Sequence, residues 1–188
     1  MFKNNNEWKV IKSEAAADLK LFQARFDYMK NPRNGKTEKM IILESNDSVN
    51  VVALTPDQKM LFVKQYRFGI GADTLELPGG IVDEPEPHGQ AAKRELREET
   101  GYSGSGWSYL GKVASNPVFM DSFIHHWSVK EVQINYQQQL DDGEAVEVVL
   151  MPMEEVREKL LQGGFQHPHT ISALLLYFGK TIFEHKTR

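Results

Sequence analysis

Three carboxylates, Glu95, Glu98 and Glu99, fall within the run AAKRELREETGY at positions 91–102. On a helix turning about 100° per residue, Glu98 lies about 60° to one side of Glu95 and Glu99 about 40° to the other, so all three share one stripe. Like charges at this spacing weaken an isolated helix, and Arg94, four residues before Glu98, offsets only part of the repulsion. Something positive has to complete the stripe. All-oxygen donors suit a hard divalent cation, Mg²⁺ first and Mn²⁺ second, whereas Zn²⁺ would require His or Cys close by. The segment from Gly80 to Tyr102 carries six acids and three bases, most of the chain's net charge of -4. Acidic helix faces of arbitrary spacing are usually just solvated, so the residues around this one must decide.

That spacing is Gly80, five residues, Glu86, seven residues, then Arg94-Glu95-Leu96-Arg97-Glu98-Glu99-Thr100-Gly101-Tyr102. It resembles the Nudix box of the Nudix hydrolases, with Tyr102 standing where the family usually has an aliphatic residue. The resemblance implies an α/β fold, the Nudix α/β/α sandwich with a mixed β-sheet. It implies that Glu95 and Glu99 are metal ligands and that Glu98 is a ligand or a catalytic, water-polarising carboxylate. The Gly79 carbonyl would be a further ligand, and Gly80, Glu86, Arg94 and Gly101 would hold the loop and helix in register. Cleaving a pyrophosphate at so acidic a site is favourable only if divalent ions invert the local field.

Residues outside the box bear on the substrate. The QYR strand ending at Arg67, the LELPGG approach to the box and Pro117, fifteen residues after Tyr102, resemble the ADP-ribose pyrophosphatase branch, although Val118 stands where that branch usually has Gly. Arg67 then meets a phosphate or terminal ribose, a task suited to a planar guanidinium. Glu76 either binds a substrate hydroxyl or lies beside the metal loop. A base beyond the box is expected on the loop before a late strand, where DDGEAVEVV places Glu144, with Asp141, Asp142 and Glu147 as rivals. The expected reaction splits a nucleoside diphosphate sugar, ADP-ribose first, into a nucleoside monophosphate and a sugar phosphate. The alternatives are a GDP-mannose or other nucleotide-sugar hydrolase, or a non-catalytic Nudix-like regulator. His125 and His126 should project to opposite faces of a strand, and His167-Pro168-His169 reads as a loop into the last helix.

The elements that must position these groups follow from periodicity. Residues 1–46 alternate apolar and polar positions around the NPRNG turn and read as a small antiparallel β unit, with residues 47–188 as the Nudix domain. VNVVALT and KMLFVKQYRF flank Pro56-Asp57-Gln58 as an expected hairpin, and a helix runs from about Pro87 to Gly101. Later strands and two amphipathic helices complete the pattern of a sheet covered by helices. Resembling enzymes are homodimers that exchange the N-terminal unit, and Phe22, Phe26 or Tyr28 could then meet a nucleobase in the partner subunit; otherwise these aromatics are core. With 188 residues, 40% apolar content and no Cys, disulfides and thiolate chemistry are excluded. No basic field exists to hold a nucleic acid, and no apolar run is long enough to span a membrane, so a cytoplasmic enzyme acting on a small nucleotide sugar is expected.

Overall fold

The computed structural model describes residues 7–143 and 145–186, the side chains of 180–186 excepted. The chain divides into two compact units. The first joins the described residues up to Asn46 with Ala114–Ser122, a stretch the sequence boundary assigns to the second. It holds β1 (Lys9–Asp18), β2 (Gln23–Lys30) and β3 (Thr37–Glu44), paired antiparallel in that order. Asn31 and Gly35 close the β2–β3 turn, and Gly35 takes a φ of 71°, which only glycine adopts without strain. Arg25 on β2 gathers Asp27, Glu44 and Asp121, the last from the 114–122 segment. Phe22, Phe26 and Tyr28 are only half-buried, with Lys39 lying 3.9 Å over the Phe26 ring, and therefore do not form a closed core.

The second unit contains two three-stranded sheets rather than one. The first sheet runs β4 (Ser48–Ala53), β8 (Phe123–Ile134), β7 (Tyr102–Ala114), and the second runs β6 (Ala72–Glu76), β5 (Lys59–Arg67), β9 (Glu147–Pro152). The expected hairpin of β4 and β5 does not form. β4 pairs parallel with β8, whereas β5 pairs antiparallel with β6 and β9, and a single bridge, Leu54 to Met60, links the two. The reason lies in burial: β4 is buried along its length and β5 over its first half, so β5 takes the place between β6 and β9, while β4 gives one edge to β8 and the other to the loop that carries Pro78 and Gly80.

Alternation then divides the core into two layers. Val49, Val51, Ala53 and Leu61 pack beneath α1 (His88–Thr100) with Ala91, Ala92 and Leu96. Val52, Leu54, Met60 and Phe62 point the other way, toward α2 (Met153–Leu161) and α3 (Pro168–Lys186), meeting Val156 and Leu174. Helices therefore cover both faces of the strands, the α/β/α sandwich. Tyr102 is buried in the α1 layer, so the residue that departs from the box pattern has a packing role.

Candidate active site

The approach to α1 is stitched to β4. On the edge not used by β8, Val51 N–H donates to the Pro78 carbonyl and Val49 N–H to the Gly80 carbonyl, each at 2.8 Å. Between them, the Gly79 carbonyl has no donor among the described residues. A side chain at Gly79 would run into the backbone of Val49 and Asn50, and one at Gly80 would meet the Glu95 carboxylate within 2.6 Å. Close approach of backbone to backbone requires glycine at 79, and a side chain at 80 would displace the Glu95 carboxylate. Beyond the loop, α1 ends where Gly101, with a φ of 73°, returns its N–H to the Arg97 carbonyl at 2.8 Å.

The acidic stripe of α1 lies along this loop. Glu99 is almost fully buried and accepts the Gly79 N–H at 2.8 Å. Arg94 reaches five groups: Glu86 at 3.1 Å, the Ile81 carbonyl at 2.9 Å, Glu95 at 2.7 Å, Glu98 at 3.2 Å and Asp83 at 3.5 Å. Burial works against its charge, but these carboxylates raise its pKa above the ordinary arginine value. Arg97 takes the other Glu98 oxygen at 3.0 Å. Among the described residues, no three acidic or histidine side chains are gathered closely enough to hold a metal ion as they stand. The physical reason is visible in the contacts: a guanidinium sits between Glu95 and Glu98, and a backbone amide holds Glu99. The donor chemistry nevertheless fits a hard divalent cation, because three carboxylates and an orphan carbonyl supply oxygen alone.

A second cluster contributes to the same cavity, of about 430 Å³, which is lined by Glu95, Glu98 and Glu99 and also by Arg67, His167 and His169. Gln65 faces Thr74 in the β5–β6 register, so Arg67 and Glu76, two residues further along each strand, share that sheet face. Arg67 binds the two Glu76 oxygens with bonds of 2.6 Å each, Thr74 donates to Oε1, and His167 Nδ1 lies 3.1 Å from Oε2. Burial disfavours ionisation of Glu76, but these hydrogen bonds and the nearby positive charge outweigh it and hold the carboxyl below its usual range. His167 also shifts down, but toward its neutral form: burial pushes it to about 4, which the nearby Glu76 only partly offsets.

Most sequence-assigned residues meet at this cavity. Gly79, Gly80, Arg94, Glu95, Glu98, Glu99 and Arg67 all line it. Glu76 does not; only 1% exposed, with its oxygens engaged, it anchors Arg67 and His167 from beneath the wall instead of offering itself to a hydroxyl. Pro117 sits in the turn of the first unit that Asn116 closes onto Met120, with Val118 82% exposed. Glu144 lies outside the described residues; its rival Asp141 lines the cavity. His125 and His126 do diverge: His125 bonds Asp47 and Tyr109, and His126 bonds Ser172 on α3. The residues that sequence reasoning missed are His167 and His169 as cavity lining, together with Ser48, Asn50 and Gln65. A signal existed for the first two, because a polar HPHT run opening an otherwise apolar helix marks an end that faces something polar.

The NUDIX domain profile matches residues 44–174. The chain is 28% identical over 181 residues to the methanol dehydrogenase activator of Bacillus methanolicus, spanning 96% of this chain and 97% of that protein. It is 30% identical over 150 residues to the ADP-ribose pyrophosphatase of Bacillus subtilis, spanning 79% and 80%. A crystal structure of an ADP compounds hydrolase superposes with a TM-score of 0.84 over 97% of this chain and 98% of that one, at 21% identity, a likeness of fold. This chain therefore belongs to the Nudix family. Within it, the chain is a Nudix pyrophosphohydrolase similar to the proteins named ADP-ribose pyrophosphatase in Bacillus subtilis and Mycobacterium tuberculosis.

Proposed function

We propose that the enzyme hydrolyses the pyrophosphate of a nucleoside diphosphate sugar, with ADP-ribose preferred, to a nucleoside monophosphate and a sugar phosphate. The observation that carries this reading is the shared cavity: the box carboxylates line it together with Arg67, whose guanidinium Glu76 fixes in place. Its volume of about 430 Å³ falls in the range of small-molecule sites. Glu95, Glu98, Glu99 and the Gly79 carbonyl would hold Mg²⁺, with Mn²⁺ as a substitute. When bound, the metal would neutralise phosphate charge and lower the pKa of attacking water. Arg67 binds a phosphate or the terminal sugar, Glu98 or Glu144 takes the water proton, and Glu86 with Arg94 keeps the loop and helix in register. Pro117 belongs to the substrate-binding residues of the same reading.

The relatives named ADP-ribose pyrophosphatase and ADP-sugar pyrophosphatase support this substrate class. We further infer a cytoplasmic homodimer formed through the first unit, because Val10, Ile11 and Ile41 are about half exposed on its sheet. Sedimentation velocity tests the dimer, and a monomer at micromolar concentration overturns it. For the reaction, ADP-ribose, GDP-mannose, UDP-glucose and dGTP are compared with Mg²⁺ and the products resolved by chromatography. ADP-ribose should exceed dGTP in kcat/KM by at least about tenfold, or about 1.4 kcal/mol of discrimination. Preference for dGTP with pyrophosphate release overturns the substrate reading.

A further inference from the structure

We propose that His167 accepts a hydrogen bond from a substrate hydroxyl through its Nε2 lone pair, which makes it a specificity-determining residue of the cavity. The inference rests on the nucleotide-sugar reading and adds to it a contact that the box does not supply.

The tautomer follows from the neighbours. His167 Nδ1 lies 3.1 Å from Glu76 Oε2 and 3.1 Å from Thr170 Oγ1. Glu76 is buried and ionised against Arg67, so a lone pair on Nδ1 would be repelled by its oxygen, and Nδ1 must carry the proton. Thr170, fully buried, is fixed in turn by accepting the Leu77 N–H at 3.0 Å. Three elements, β5, β6 and the start of α3, therefore lock the ring. Burial keeps it neutral near pH 7, with Glu76 opposing this only in part and His169 and Arg67 adding to it.

With Nδ1 protonated and the ring neutral, Nε2 is an acceptor. It has no partner among the described residues, and the ring lines the cavity with 19% of its side chain exposed. A phosphate oxygen carries no proton near neutrality and meets such a lone pair unfavourably. A hydroxyl donates to it. In a nucleotide sugar, hydroxyls occur on the sugar beyond the pyrophosphate and on the nucleoside ribose, and the two sources are separable by experiment.

The test uses the full chain with Mg²⁺. His167→Asn keeps an amide N–H near the Nδ1 position for Glu76 but deletes Nε2, whereas His167→Gln can carry its amide oxygen toward the Nε2 position. For ADP-ribose, His167→Asn should raise KM about fivefold to tenfold, the scale of one neutral hydrogen bond, with kcat within about twofold. His167→Gln should recover most of the loss. Calorimetric titration of AMP and of ribose 5-phosphate identifies the hydroxyl: His167→Asn should weaken one of the two and spare the other. These binding measurements stand whether or not ADP-ribose proves to be the substrate, so failure here is distinct from failure of the nucleotide-sugar reading. Unchanged affinity for both products overturns the proposal. So does a loss on both that His167→Gln does not restore, which marks a structural role, or a raised Mg²⁺ requirement with product affinities unchanged, which marks a metal ligand.

Discussion

Two sets of carboxylates serve one cavity, and they are neutralised in opposite ways. On α1, Glu95 and Glu98 share the guanidinium of Arg94, which is also committed to Glu86 and the Ile81 carbonyl, and Glu99 accepts the Gly79 N–H. Beneath the other cluster, the single carboxylate of Glu76 receives Arg67, Thr74 and His167 together. The first set keeps surplus negative charge, which a cation can complete; the second is closed and can only fix geometry. Charge in excess marks the groups available for chemistry. Charge fully satisfied marks the groups that position their neighbours.

The largest expected effect breaks the first set. Glu99→Gln removes one charge from the stripe while preserving shape, and an amide oxygen can still accept the Gly79 N–H. Turnover should fall by about a thousandfold or more, about 4 kcal/mol, with thermal unfolding shifted by only a few degrees. Exhaustive chelation should likewise abolish activity, and unchanged turnover after chelation removes the metal from the mechanism. Next in size is Glu144→Gln. If Glu144 is the base, kcat should drop by about a hundredfold or more with KM nearly constant, because a general base acts only in the chemical step. A near-normal rate transfers that role to Glu98 or to metal-activated water alone.

A smaller effect is expected from the closed set. Glu76→Gln leaves Arg67 and His167 near a neutral amide and removes charge-assisted bonds from a buried position. Stability should fall by about 1–3 kcal/mol, and KM for the nucleotide sugar should rise about tenfold as Arg67 loses its orientation. Denaturant unfolding and steady-state kinetics check the two halves separately. An unaltered KM would show that Arg67 is positioned by something other than Glu76.

The same contrast explains what was legible in the sequence. The α1 stripe and its loop occupy 23 contiguous residues from Gly80 to Tyr102, so helical spacing alone puts Glu95, Glu98 and Glu99 on one face. The second cluster draws on Arg67, Glu76 and His167. Its assembly depends on the β5–β6 register and on where α3 docks, and neither is written in local periodicity. The sandwich itself was readable from strands alternating with amphipathic helices. The β4–β5 hairpin was not, because strands buried on both faces lack the alternation that would reveal which neighbour each pairs with. Arg67 was found by its resemblance, whereas the burial of Glu76 was invisible: a carboxylate beside the metal loop and one sealed beneath the wall look alike in a string of letters.

The smallest effect concerns acid stability and probes the closed cluster together with its neighbour His126. His126 is fully buried on β8, where burial, with His169 and His125 adding to it, pushes its pKa down to about 4. His167 is pushed to about 4 by burial, partly opposed by Glu76 and reinforced by His169 and Arg67. Both start from an ordinary value of 6.5, so between 6.5 and about 4 the unfolded chain binds protons that the folded chain refuses. Unfolding free energy therefore rises with pH across that window and is lost as pH falls through it. Between pH 7 and 5.5 each histidine should remove about 1 kcal/mol of stability. Glu76 does not compensate: its depressed carboxyl stays ionised here, and its contribution is lost only as pH falls below the ordinary carboxylate range. Denaturant midpoints at pH 7 and 5.5 should accordingly separate in the native enzyme. The His167→Asn variant should show about half that separation, and an undiminished separation would mean that His167 is not held neutral by its burial against the Arg67–Glu76 pair.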